Sequence, residues 1–130
     1  MAEEILRTGA HNTMRVVEST DETLLFEATW DPGSAAPPPH LHPSQDERFE
    51  ILEGELEVVV GEEERTVRAG DVLDIPAGTV HKMWNGSDAQ ARATWRITPP
   101  QKTLEFFRTI ASGDFPPDFL ERFADEFRLA

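Results

Sequence analysis

The chain contains no cysteine. That absence removes disulfide staples, a thiolate nucleophile and thiolate metal ligands at once. Basic residues are also scarce, 12 Lys and Arg against 25 Asp and Glu, for a net charge of −13. Such a field repels phosphate backbones and anionic lipid surfaces, so neither a nucleic acid nor a membrane is expected as a partner. No apolar run reaches the length of a bilayer span, and Met1-Ala2-Glu3-Glu4-Ile5 lacks the basic start and apolar core of a secretory leader. A cytoplasmic location is the expectation. Only four histidines are present, at 11, 40, 42 and 81.

What the chain does have is 130 residues, 38% of them hydrophobic, punctuated by eight glycines and ten prolines. That is enough for one domain with a real core, and the punctuation fits a turn-rich fold. Period-2 alternation runs through most of it. Leu24, Phe26, Ala28 and Trp30 share one face of a strand. The same spacing groups Glu47, Phe49 and Ile51, then Leu56, Val58 and Val60, then Ala91, Ala93, Trp95 and Ile97. About nine short strands at this spacing predict an all-β fold, a closed or two-sheet antiparallel barrel over residues 12–98. Residues 1 to about 12 read as a polar lead-in, with His11 solvated. The run Glu62-Glu63-Glu64 reads as a solvated hairpin tip.

Two stretches carry the chemistry. In Pro39-His40-Leu41-His42-Pro43 the flanking prolines exclude a helix, and an extended backbone turns both imidazoles to one face. Taken alone, a His-x-His in a Pro-rich segment reads more simply as a pair of surface histidines. Glu47 follows five residues on, and the alternation that buries Phe49 and Ile51 turns this carboxylate inward. An ionised group there is costly unless a cation or hydrogen bonds compensate it. The second stretch runs from Gly70 to Asn85. Its Pro76-Ala77-Gly78-Thr79 predicts a turn, after which Val80 to Trp84 is a strand with His81 and Met83 on one face and Lys82 and Trp84 on the other.

Together these stretches resemble the two motifs of the cupins. His40, His42, Glu47 and Gly54 fill G(X)5HXH(X)3,4E(X)6G, and Gly70, Pro76, Gly78, His81 and Asn85 fill G(X)5PXG(X)2H(X)3N. One departure is visible: Ser34 stands where the first motif has its leading glycine, and Gly33 lies one position too early. The resemblance covers roughly residues 30–98. It implies a jelly-roll barrel around one divalent transition metal ion held by His40, His42, Glu47 and His81. Nitrogen and oxygen donors without sulfur suit Fe, Mn, Ni, Co, Cu or Zn alike.

Phe26, Trp30, Phe49, Ile51, Met83 and Trp95 are expected to wall the pocket, with Arg92 and Arg96 pointing outward. An apolar, aromatic wall suits a small oxygenated aromatic substrate better than a sugar phosphate. A quercetinase-like dioxygenase is therefore the leading expectation, with Glu47 as the base for a substrate hydroxyl. A non-redox isomerase or lyase and a ligand-binding module without turnover stand beside it. A shared fold does not carry a shared reaction.

Beyond Pro99-Pro100, Leu104, Phe107 and Ile110 repeat at helical spacing over Lys102–Ala111. After Pro116-Pro117, the residues Phe119, Leu120, Phe123 and Phe127 form a second helical stripe. Six of the eight phenylalanines lie in this tail of two helices, 101–130. Their apolar faces must be buried on the outside of the barrel, against a second subunit, or as a lid over the metal. Trp84 on the outward flank adds to the expectation of a homodimer.

Overall fold

The computed structural model describes residues 4–130. Met1 to Glu3, part of the stretch on which the expectation about a leader rests, lie outside the described residues. Among the described residues eleven strands and two helices follow one another: β1 Ile5–Arg7, β2 Asn12–Ser19, β3 Leu24–Trp30, β4 His40–Leu41, β5 Asp46–Glu53, β6 Glu55–Val60, β7 Glu63–Arg68, β8 Val72–Ile75, β9 His81–Trp84, β10 Ala91–Thr98, α1 Thr103–Ser112, α2 Phe119–Arg122 and β11 Arg128–Leu129. They form two antiparallel sheets, ordered β1-β2-β3-β10-β5-β8 and β11-β4-β9-β6-β7. This is the two-sheet antiparallel fold that the alternation predicts, and the jelly-roll that the cupin resemblance implies.

The inward sets are buried as their spacing requires. Leu24, Phe26, Ala28 and Trp30 of β3 face the core with Phe49 and Ile51 of β5, Leu56 and Val58 of β6, and Ala91, Ala93 and Ile97 of β10. The stretch from Asp31 to Pro39 has no regular structure and carries the chain from the first sheet to the second, where His40 begins β4. Gly54 makes the β5–β6 turn possible: its φ is +74°, and a Cβ there would sit 2.4 Å from the Gln90 carbonyl oxygen. Outward cations meet outward acids: Arg92 pairs with Glu53 at 3.2 Å, and Arg96 with Glu18 at 3.6 Å.

Several expectations are corrected. The polar lead-in contains β1, an edge strand paired with β2; Leu6 is buried while Ile5 and Arg7 are exposed, and three residues are too few to display a period. Glu63 and Glu64 belong to β7, so the hairpin tip is Gly61-Glu62. The second tail helix lasts one turn, Phe119–Arg122, and Leu120 on its stripe is exposed. The chain then turns through residues 123–126 and ends as β11, pairing Leu129 with His40 and Arg128 with Leu41. Phe119 and Phe127 therefore do not share a helix; their spacing imitates one. Trp84 is half-buried under the Lys82 ammonium, 5.6 Å from its ring centroid, rather than a bare flank. Among the described residues no helix is long and apolar enough to cross a membrane.

Candidate metal centre

The site lies between the sheets. β4 and β9 are neighbours in one sheet, and their register sets His40 directly opposite His81. The extended backbone at His40–Leu41 brings His42 to the same side, so the three rings gather with centroids 4.4 to 5.3 Å apart. One ligating nitrogen from each lies within 4.8 Å of the others, close enough for a single cation to collect them. Glu47 arrives from β5 in the opposite sheet. Its Oε1 lies 3.2 Å from Nε2 of His42 and 3.2 Å from Nε2 of His81. The other oxygen, Oε2, accepts a hydrogen bond from Trp95 Nε1 at 2.7 Å. Both carboxylate oxygens are thus placed, in a residue only 3% exposed.

The imidazole tautomers follow from their partners. Nδ1 of His42 lies 2.7 Å from the carbonyl oxygen of Glu126, and Nδ1 of His81 lies 2.9 Å from that of Thr79. A carbonyl only accepts, so each Nδ1 carries the proton and each neutral ring has its lone pair on Nε2. Those lone pairs converge on Glu47 Oε1, itself an acceptor. Nε2 of His42 is buried and has no hydrogen-bond partner among the described residues. Three buried acceptors aimed at one spot repel unless a positive charge stands among them. A divalent ion satisfies all three, and the carbonyl-bound Nδ1–H is the usual support of a metal-ligating histidine. The donor set therefore fits a metal.

Metal-free, the cluster is strongly coupled. Burial pushes His40 down, with the charges of His81 and His42 adding to it, to about 4. Burial also works against His81, but the hydrogen bond and charge of Glu47 outweigh it and leave that imidazole above its ordinary value. Burial raises the carboxyl of Glu47, yet the His81 hydrogen bond and the three imidazoles hold it below the usual carboxylate range.

Above the centre opens a cavity of about 400 Å³. Trp30, Phe49, Met83 and Trp95 line it, as their parity predicts. Phe26 and Ile51, expected on the same wall, are instead core residues behind it: Phe26 packs on Trp95 at 5.6 Å and Phe107 at 5.7 Å. The far wall is one that periodicity did not assign. Phe106, Phe107, Ile110, Phe115, Phe119 and Phe127 of the tail face into the cavity. The tail lies over the barrel mouth, not on its outside. Phe127 stacks on His40, centroids 5.0 Å apart and planes 27° apart.

Residues near the motifs prove structural. Asn85, fully buried, donates to the carbonyls of Trp30 and Ala89 and accepts from the Ser87 backbone and hydroxyl, shaping the β9–β10 turn. Ser34, the departure from the glycine pattern, accepts the Asn85 N–H and donates to its carbonyl, tying the crossing segment to that turn. Asp74 lies outside, paired with Arg48 at 2.9 Å. His11 is exposed. Gln45 was not anticipated: buried two residues before Glu47, it donates to the carbonyls of Pro99 and Pro100 and to Thr103, holding α1 against the barrel. A polar residue flanked by two motif positions is the signal that could have found it.

Comparison with known proteins agrees with this geometry. The family model of the cupin domain matches residues 26–97, just over half of the chain. The probable oxidoreductase virH of Hypocrea virens is 30% identical over 74 residues, 56% of this chain and 34% of that protein. The oxidoreductase iacF of Pestalotiopsis fici is 43% identical over 53 residues, 40% of this chain and 26% of that protein. The chain thus aligns with about a third or less of either relative. The crystal structure of TT1209 from Thermus thermophilus superposes with a TM-score of 0.64 at 30% identity, covering 72% of this chain and 89% of that one. With the family model matched over more than half of the chain, the barrel formed and three histidines gathered inside it, the chain belongs to the cupin domain family.

Proposed function

We propose that this protein is a metal-dependent oxidoreductase of the dioxygenase kind, acting on a small apolar or aromatic substrate that carries oxygen donors. The observation that supports this best is the cavity: its wall is aromatic and aliphatic, and its ionisable groups are gathered at one spot, His40, His42, His81 and Glu47. Among the described residues no Lys or Arg lines it, so a phosphorylated or carboxylated substrate would find no countercharge. The oxidoreductase names of two partial relatives point the same way.

His40, His42 and His81 would hold the ion, with Glu47 Oε1 as the adjoining oxygen. When bound, such an ion supplies a Lewis acid and, if iron, manganese, nickel, cobalt or copper, a route for electrons to dioxygen. The chain's own residues do the rest. Phe49 and Trp95, stacked at 5.4 Å, present a flat surface to a planar ring. Trp95 fixes Glu47 Oε2 and so aims Oε1 at the histidines; the Oε1 lone pair not given to the ion would receive the proton of a substrate hydroxyl. The tail phenylalanines keep water from the bound ring.

The test is metal content by mass spectrometry on protein purified without chelators, followed by oxygen uptake with flavonols, diketones and catechols, each beside a His40→Ala control. About one equivalent of a redox-active metal and oxygen consumption, both lost in the variant, are expected. Zinc with oxygen-independent turnover would replace this reading with a Lewis-acid isomerase or lyase. Metal without oxygen uptake or turnover would leave a binding module.

A further inference from the structure

The polar chemistry of the centre continues into the last residues of the chain. β11 is two residues long, and it pairs with β4, the strand that carries His40. The N–H of Ala130 donates to the Pro39 carbonyl at 3.1 Å, next to the first ligand. The Glu126 carbonyl holds His42 Nδ1, and the Phe127 ring lies on His40. Phe127 also stacks on Phe106 of α1 at 5.0 Å. The Glu126 side chain is buried, and burial, with the charge of Asp125 adding to it, pushes its carboxyl up. One short strap therefore touches two of the three histidines and is anchored by α1. Its own ladder is slight, and both β11 side chains are exposed.

We propose that residues 126–130 are a positioning element of the metal centre: the Glu126 carbonyl holds His42 in the tautomer that presents Nε2, Phe127 braces the His40 ring, and docking of this strap and binding of the metal strengthen each other. This rests on the metal reading above. By linkage, whatever the docked strap adds to metal affinity the metal returns as strap stability. Because the same strap carries part of the cavity's far wall, undocking it also opens the path to the metal.

Zn(II) and Ni(II) affinities, measured by competition with a chromophoric chelator, decide the matter for the full chain, a chain ending at Asp125, and Phe127→Ala. Imidazole nitrogen NMR on the metal-free proteins at alkaline pH reads the His42 tautomer directly. Truncation should weaken metal binding roughly 10- to 100-fold, the usual loss when a ligand's supporting partner is removed, and should turn His42 from Nδ1–H alone into a mixture. Phe127→Ala should weaken binding by a smaller factor with the tautomer kept; it carries the test if the truncated chain fails to melt cooperatively. Unchanged affinity in both variants, with His42 still Nδ1–H in the truncated chain, would overturn the proposal while leaving the metal site intact. Failure of the full chain to take up either ion would instead remove the metal reading, and the truncated chain's tautomer would still decide what the strap does.

Discussion

The two walls of the cavity are built by different means. The inner wall comes chiefly from β3, β5 and β10, seven- and eight-residue strands paired over most of their length, with one register shift at Arg92/Ala93. Strand alternation dictates which side chains enter it, and Phe49 there is 4% exposed. The outer wall comes from α1, the loop residue Phe115, a single helical turn and Phe127 just before the two-residue β11. It is held by ring contacts such as Phe106 with Phe119 and Phe127, and Phe115 on it is 54% exposed. A wall pinned by long ladders, regular around Glu47, Phe49 and Trp95, keeps that carboxylate and the aromatic floor in fixed geometry. A wall pinned by stacked rings and a short ladder opens at lower cost. The first wall carries Glu47 and its Trp95 donor, and the second covers them.

That contrast can be broken or sharpened by substitution. The largest effect is expected at the shared centre: His81→Ala should abolish stoichiometric metal, read by mass spectrometry, because it removes both a ligand and the partner of Glu47. Retained metal would put the ion elsewhere. Next, Phe49→Ala on the inner wall should cost about 3–5 kcal/mol in denaturant unfolding. Its outer-wall counterpart Phe115→Ala should stay within about 0.5 kcal/mol, and equal losses would erase the distinction between the walls. Between these stands Trp95→Phe, which keeps the ring and deletes the donor to Glu47 Oε2. A buried carboxylate oxygen without its partner costs about 1–3 kcal/mol, seen as a lower melting temperature in the metal-free protein.

Acid gives the finest test. The folded pKa of His81 is raised, so in the metal-free protein it begins to take up a proton above pH 6.5, and the metal must then displace that proton. Metal affinity should fall about tenfold per pH unit for the His81 proton alone as pH drops below that raised value. His40, held to about 4, competes only in stronger acid. Affinity flat between pH 8 and 5, measured by chelator competition, would mean that His81 is not a ligand.

Much of this was legible in the sequence, for a physical reason. Alternation reports burial directly in long strands, so β3, β5 and β10 and their inward residues could be read, and the proline and glycine at 76 and 78 place the turn before His81. Phe26 and Ile51 show the limit of that reasoning: parity says that a side chain faces inward, not whether it meets the cavity or the packing beneath it. The strap was illegible because two residues have no period, and because Phe119, Phe123 and Phe127 fall at helical spacing without forming one helix. The bond from Trp95 to Glu47 joins strands far apart in the chain, and no local pattern marks it. Glu126 contributes through its main-chain carbonyl, which any residue would carry.

The most direct test of the central claim is anomalous diffraction at the metal edge, on crystals of the full chain grown without chelators. The account predicts one peak between the sheets, bonded to Nε2 of His42 and of His81, with His40 and Glu47 completing the set. No peak after saturation with metal, or a peak bonded through Nδ1 of His42 in place of the Glu126 carbonyl, would contradict it.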